Sequence, residues 1–246
     1  MRLALALLPL LLSGGSPSPA ATGASPSTED ARSILRKHDQ VMGPAFFEAE
    51  ATMTAHRTDG SERTYQMRFL KGGDDRFRVW FDAPSNARGQ EILRVEDNFW
   101  VYMPNLKRAV RLAARESFMG GDFNNADVLR VSYAKDFDPT ITSETEDCWV
   151  LSLKSHNPGS AYDRIELTVH KGDYLPIEGH YFAASGKELR AAEFKDPKDF
   201  RGHRRPGLMT MRNSIEEGRW SRMELRDFKV VESISSTRFV LTELGK

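Results

Sequence analysis

From Phe46 onward, apolar and polar residues alternate with a period of two, segment after segment. No other feature of the chain restricts its fold as much. Phe47, Ala49, Ala51, Met53 and Ala55 alternate with Glu48, Glu50, Thr52, Thr54 and His56. After the turn signal "TDG", Tyr65, Met67 and Phe69 alternate with Thr64, Gln66 and Arg68. A period of two belongs to a strand with one buried and one wet face. The theme returns in "DRFRVWF", "GQEILRVE", "NFWVYMP", "KRAVRL", "DCWVLSLK", "RIELTVHK", "LPIEGHYFA", "KELRAAEF", "GLMTMRN" and "RWSRMELRDF". Turn signals such as "KGGDD", "HNPGS" and "ASGK" separate several of these runs. About a dozen short strands at regular spacing predict a mainly β chain with one large antiparallel sheet, curled into a barrel. No repeat of fixed period and no linker interrupts the pattern, so residues 24–246 are expected to form one domain.

Two stretches depart from this period. "STEDARSILRKHDQVMGP" keeps helical spacing through Ala31, Ile34, Leu35, Val41 and Met42. Ser27 and Asp30 form a Ser-x-x-Asp capping pattern before it, and Gly43-Pro44 stops it. The spacing predicts a helix over roughly 28–42, lying against the concave side of the sheet. Before it, Met1-Arg2 is followed by the apolar run Leu3 to Leu12 and then by a Gly/Pro/Ser/Ala-rich stretch. That order reads as a secretory signal peptide over 1–23, cleaved somewhere between Ala20 and Ala24. The expected location is the periplasm, as an exported soluble protein without a lipid anchor. Cys148 is the only cysteine, so no intramolecular disulfide can form, and a buried, inert thiol is expected there.

Charge excludes one class of function. Lys plus Arg and Asp plus Glu balance at 35 each and are well interspersed, which leaves bulk electrostatic binding of nucleic acid unsupported. Enzyme signatures are thin. The six histidines show no metal-ligand spacing, and no Gly-x-Ser-x-Gly elbow occurs. Carboxylates could meet across a sheet as a catalytic pair, but acids scattered on alternating strands are solvated by default. No catalytic residue, metal site or cofactor is therefore assigned. "GHRRPG" at 202–207 concentrates positive charge beside glycine and proline. Its default reading is an exposed loop, and its alternative is a site for an acidic partner or for anionic lipid headgroups.

A curled sheet of this size encloses more volume than its own side chains need fill. Either helices seal an ordinary core, or a lined cavity remains. Composition leaves both open. The segment "SFMGGDFNNADVL" at 117–129 bears on this choice. Asp122-x-Asn124 begins like a calcium loop, but Asp127 stands where glycine is needed and Tyr133 where glutamate is needed. Gly120-Gly121 lacks the spacing of a phosphate loop. The segment reads as a glycine turn into a short helix, capped by Asp122, Asn124 or Asn125, with Val128, Leu129 and Val131 facing inward.

"NFWVYMPNLKRAVRL" followed by "SFMGGDFNNADVL" resembles the outer-membrane lipoprotein-sorting protein family, the LolA-like periplasmic carriers. Trp100, Tyr102 and Pro104 match that family's Trp-x-Tyr-x-Pro strand, and Ser117, Phe118, Met119, Gly120, Asp122 and Phe123 match its Ser-Phe-Met-Gly segment. The similarity runs on through Leu175-Pro176, Gly186-Lys187, Phe239 and Leu244. The resemblance implies an unclosed antiparallel barrel whose apolar concave face is covered by helices. It implies carriage of lipid or lipoprotein acyl chains towards the outer membrane, without chemistry. An inner-membrane exporter of the RND type is the implied partner, and the carrier is expected to be a monomer. The alternatives are an envelope sensor of the same fold working with an inner-membrane partner, and a hydrolase of envelope lipids or glycans.

Alternation then places Phe47, Met53, Tyr65, Met67, Phe69, Phe77, Val79 and Phe81 on the cavity face, with Trp149, Leu151, Ile165, Leu167 and Ile177. Around Trp100 both faces are apolar, and motif membership selects Trp100 and Tyr102 over Phe99, Val101 and Met103. Phe118, Met119, Gly120, Gly121, Asp122 and Phe123 are expected to form a lid. In it the aromatic residues and Met119 cover the opening, the glycines hinge, and Asp122 or Asn124 holds the helix start.

Overall fold

The computed structural model describes residues 29–130 and 132–246. The expected signal peptide, Ser27 and Val131 lie outside the described residues. The first helix, α1, runs Ala31–Met42. Its N-cap is Asp30, which corrects the expected Ser27-x-x-Asp30 pattern: the Asp30 carboxylate accepts the Ser33 amide at 2.7 Å, and Gly43 closes the helix by donating to the Asp39 carbonyl at 2.7 Å. Helical spacing gathers Ile34, Leu35, His38 and Asp39 on one buried face. Lys71 Nζ holds the end of the helix by donating to the carbonyls of Gly43 and Pro44 at 2.8 and 2.9 Å. No helix among the described residues is long and apolar enough to cross a membrane.

The strands follow as β1 (Phe46–His56), β2 (Glu62–Gly72), β3 (Arg76–Ala83), β4 (Glu91–Val95), β5 (Asn98–Met103) and β6 (Arg108–Leu112). After α2 (Asn125–Leu129) come β7 (Phe137–Glu144), β8 (Cys148–Ser155), β9 (Arg164–His170) and β10 (Pro176–Phe182). The last three are β11 (Glu188–Phe200), β12 (His203–Asn213) and β13 (Trp220–Val230). All thirteen lie in one antiparallel sheet of order β6-β5-β4-β3-β2-β1-β13-β12-β11-β10-β9-β8-β7, which does not close. Each half is therefore a meander, and the two halves meet where β1 pairs with β13. The segment 113–136 links the two free edges, β6 and β7, and carries α2 across the concave face. The expected architecture is the observed one.

The concave face holds the main core, which includes Ile34 and Leu35 of α1. The convex face carries a second, smaller cluster of Leu70, Leu93, Phe239 and Leu244. Phe239 fits there because residue 72 is glycine, where a Cβ would lie 2.3 Å from the Phe239 ring. Trp100 and Tyr102 pack against this convex cluster, while Phe99, only 1% exposed, and Val101 face the concave core. The motif-based choice of face is thus corrected. Both faces of β5 are apolar because both are covered, so alternation could not decide between them.

Ile177 is the second correction: it is 40% exposed. Pairing of β10 with β9 shifts register there, so that Pro176 opposes Val169 and Glu178 opposes Thr168. Ile177 is the extra residue of that bulge, and Pro176, Gly179 and Tyr181 take the buried positions. Cys148 is half-buried, because Trp149, Leu151 and Leu153 occupy the inward positions of β8. "GHRRPG" is not simply a loop, since His203 to Gly207 already belong to β12. Within it Arg204 points outward and Arg205 is buried.

Candidate functional site

The concave face is filled unevenly along its strands. At the end of β1 near Met53 and Ala55 it is packed solid by the segment before α2. Phe118 and Phe123 are fully buried, and Phe118 lies 5.9 Å from the Phe81 ring, which in turn meets Tyr65. Tyr65 donates its hydroxyl hydrogen to the Met119 carbonyl at 3.2 Å. Asp122 ties this segment to the far half of the sheet. Its amide donates to Ser221 Oγ at 2.8 Å, and its carboxylate receives Asn213 Nδ2 at 3.1 Å and Arg219 Nε at 3.0 Å. Arg190 donates to its carbonyl. Asn124, not Asp122, caps α2, in a reciprocal capping box with Asp127.

The two glycines differ: Gly120 is exposed, whereas Gly121 is packed. Gly120 has the positive φ of 76° that suits glycine, but a Cβ on Gly121 would lie 2.8 Å from Ser221 Oγ. The expected lid residues Phe118, Met119 and Phe123 do not line the cavity left on this face, so they do not cover its opening. They plug the opposite end of the concave face.

At the other end a cavity of about 140 Å³ remains between the two helices and the central strands. Small residues leave the room for it: Ala49 and Ala51 are the inward side chains of β1. Beside them on the same concave face are Met223, Leu225 and Phe228 of β13 and, one strand further, Met209 and Met211 of β12, a wall rich in adaptable thioethers. Phe47, Phe69 and Phe77 complete it, and these three are the expected lining residues that reach the cavity. Met53, Tyr65, Met67, Val79 and Phe81 face the same way but belong to the packed core. Trp149, Leu151, Ile165 and Leu167 are buried in the core of the other half, and Ile165 borders a minor void of about 30 Å³.

Polar groups enter the cavity at few points. Asp127 of α2 lines both voids and is half-buried. It accepts the Asn124 amide at 2.8 Å and the Tyr162 hydroxyl at 2.9 Å. Loss of hydration pushes its carboxyl up to about 6, against the opposing pull of those bonds. Tyr133 and Tyr181 share a hydroxyl contact of 3.3 Å nearby, and burial holds both phenols above their ordinary range. His38 of α1 donates from Nδ1 to the Tyr174 carbonyl at 3.1 Å. Burial lowers its pKa first, and the charge of Arg205 adds to that, so it is neutral at pH 7.

Two guanidinium groups border the cavity: Arg130 is paired with Asp97 and Asp136, whereas Arg205 has no carboxylate partner among the described residues. It is 9% exposed, with Cζ 4.1 Å over the Phe228 ring and 5.8 Å from that of Phe47. Its Nε and Nη1 have no hydrogen-bond partner among the described residues. Burial lowers the guanidinium to about 10, which still leaves it protonated at neutral pH.

Arg205 lies in "GHRRPG", whose alternative reading is a site for anionic groups, but neither it nor Met209 and Met211 is among the expected cavity residues. A signal for them exists, since Arg205, Gly207, Met209 and Met211 occupy alternate positions. Pro206 cuts Arg205 off from the run "GLMTMRN", because a proline argues against an interior strand, and no inward face is assigned to that run. In the structure Pro206 faces Pro197 across the β11–β12 pair, so the strand tolerates it.

A comparison with the curated proteins gave no match. Among solved structures, a LolA superfamily protein from Nitrosomonas europaea is similar with a TM-score of 0.78 and 24% identity, covering 86% of this chain and 98% of its own. A DUF1329 family protein from Desulfovibrio piger gives 0.79 and 20%, covering 87% and 97%. An outer membrane lipoprotein-sorting protein domain from Vibrio parahaemolyticus gives 0.75 and 20%, covering 88% and 98%. At these identities the likeness is one of fold. The family model that matches carries the description "uncharacterized protein" and takes in residues 73–246, well over half of the sequence. The chain therefore belongs to this DUF1329-like family of uncharacterized proteins, and its fold is LolA-like.

Proposed function

We propose that the protein is a carrier of acyl chains, which it takes up at the concave cavity and moves through the periplasm towards the outer membrane. The observation that supports this most is the cavity itself: an apolar space walled by methionines and phenylalanines in a LolA-like fold. An exposed lipid tail costs about 0.8 kcal/mol per methylene in water, so transfer between membranes needs such a shelter. The family resemblance implies an exporter of the RND type as donor. Residues 24–246 are the expected mature carrier.

Size sets a condition on this reading. A cavity of about 150 Å³ accommodates one benzene-sized molecule, roughly six carbons. Burying that much yields about 5 kcal/mol, and millimolar affinity alone corresponds to about 4 kcal/mol. Stable carriage therefore requires that the walls yield, which four flexible methionines (Met42, Met209, Met211 and Met223) favour, or that the ligand gain a further anchor.

Binding of a fluorescent fatty acid to the full-length mature protein tests the proposal, beside native mass spectrometry of protein isolated from the periplasm. Ala51→Trp places an indole in the cavity. It should weaken binding about tenfold or more while the protein stays folded, since the methylenes it displaces are the ones that drive binding. Equal binding by a folded Ala51→Trp variant would remove the cavity from the function.

A further inference from the structure

Arg205 poses a problem of physical chemistry. A charged group taken from water carries a desolvation penalty of several kcal/mol unless it is paired and hydrogen-bonded. Native interiors meet that demand almost everywhere. On this same sheet the buried Arg78 and Arg94 spend their donors on carboxylates and carbonyls. Arg205 instead has the Phe228 ring on one side and no acceptor for Nε or Nη1 among the described residues. The carboxylate that lines the same cavity, Asp127, forms no ion pair with it, and His38 beside it is neutral.

A ring stacked on a guanidinium offsets part of the penalty through cation–π attraction. It does not satisfy the donors, which lie in the guanidinium plane and point past the ring. In that plane Nη2 stands between Nε and Nη1, and with either neighbour it forms a pair of N–H groups that matches the two oxygens of a carboxylate or phosphate. We propose that Arg205 receives the acid group of the cavity's ligand, so that the protein selects anionic amphiphiles: an apolar chain bearing a carboxylate or a phosphate. This rests on the acyl-carrier reading above and supplies the second anchor which the size of the cavity demands.

The chain then lies along Ala49, Ala51 and the methionines, and the oxyanion lies in the guanidinium plane, past the edge of the Phe228 ring. A neutral ligand of the same length would leave the guanidinium buried and unpaired. Discrimination therefore comes as much from the penalty left on Arg205 as from the bond made.

Calorimetric titration of the mature protein with lauric acid, lauryl alcohol, lauryl phosphate and inorganic phosphate tests this. Wild-type protein should bind the acid or the phosphate ester about ten- to a hundredfold more tightly than the alcohol, the range expected for a hydrogen bond to a charged group. The stronger of the two identifies the head group. Arg205→Met should abolish the preference by weakening the anionic probes while the alcohol binds at least as well. It should also raise the melting temperature of the ligand-free protein, where loss of a structural cation would lower it. Should the methionine variant fail to fold, Arg205→Gln reads the same preference.

An alcohol that binds wild type as tightly as the acid overturns the role of Arg205 and leaves acyl carriage standing. A preference that survives in Arg205→Met overturns it too, as does inorganic phosphate binding as tightly as lauryl phosphate. If none of the chain-bearing probes binds, acyl carriage falls and this inference falls with it.

Discussion

Arg78 and Arg205 are buried to nearly the same degree, at 4% and 9% exposure, on opposite faces of one sheet. On the convex face Arg78 donates from Nε to Glu91 at 2.8 Å, from Nη1 to the Arg238 carbonyl at 2.8 Å and from Nη2 to the Glu243 carbonyl at 2.7 Å. Glu91 in turn receives the Gly245 amide at 3.1 Å. The pair thereby staples the C-terminal segment over Leu70 and Leu93. On the concave face Arg205 has an aromatic ring and a cavity. The first region is closed in every respect: apolar surface covered, donors and acceptors matched. The second is closed except where something else must enter. A fold that can satisfy one buried arginine completely has no general difficulty in doing so. The contrast therefore locates a place kept open within the molecule.

Breaking the convex pair should have the largest effect. Arg78→Met strands Glu91 in the interior and frees the C-terminal segment, a loss of about 3–5 kcal/mol by the precedent of halved buried ion pairs. Denaturant titration measures it. A loss below about 1 kcal/mol would mean that Arg78 is no better placed than Arg205, and the contrast between the faces would dissolve.

The plugged end of the concave face belongs with the closed region, and Gly121→Ala sharpens that assignment. The added methyl meets Ser221 Oγ at 2.8 Å and the Phe118 carbonyl at 3.4 Å, a clash worth about 1–3 kcal/mol in a packed site. Stability should fall while fatty-acid affinity and exchange rate hold steady. Altered exchange at unchanged stability would instead make the segment a moving gate.

The smallest effect belongs to the open region and has the opposite sign at neutral pH. With its carboxyl raised from 3.8 to about 6, Asp127 contributes stability when protonated. That contribution is full below about 4 and is lost as pH rises through 6. Asp127→Asn keeps an oxygen for the Asn124 amide without the charge. The variant should gain about 1 kcal/mol on wild type at pH 7.5 and little or nothing at pH 4. Thermal unfolding at the two pH values decides, and a difference independent of pH would place Asp127 in full contact with solvent.

Much of the architecture was legible because its signals are local. Asp30 and Gly43 bound α1, the run from Asn124 to Leu129 announces a capped turn of helix, and strict alternation orients Phe47, Val79, Leu151 and Leu167. The candidate site was less legible. Phe47, Phe69 and Phe77 were found, whereas the methionine wall lies in runs assigned no inward face and Arg205 in a segment read first as an exposed loop.

What the sequence determines by itself is parity: which residues share a face, and hence an antiparallel sheet with one helix laid across it. Tertiary structure decided which face is which. In β5 both sets are apolar, and only the C-terminal segment with Phe239 and Leu244 draws Trp100 and Tyr102 to the convex side. In β10 one extra residue reverses parity and sends Ile177 to solvent. The cavity belongs to the tertiary level altogether. It is the difference between the space that all the strands enclose and the volume of the side chains that fill it, and no single run of residues carries that difference.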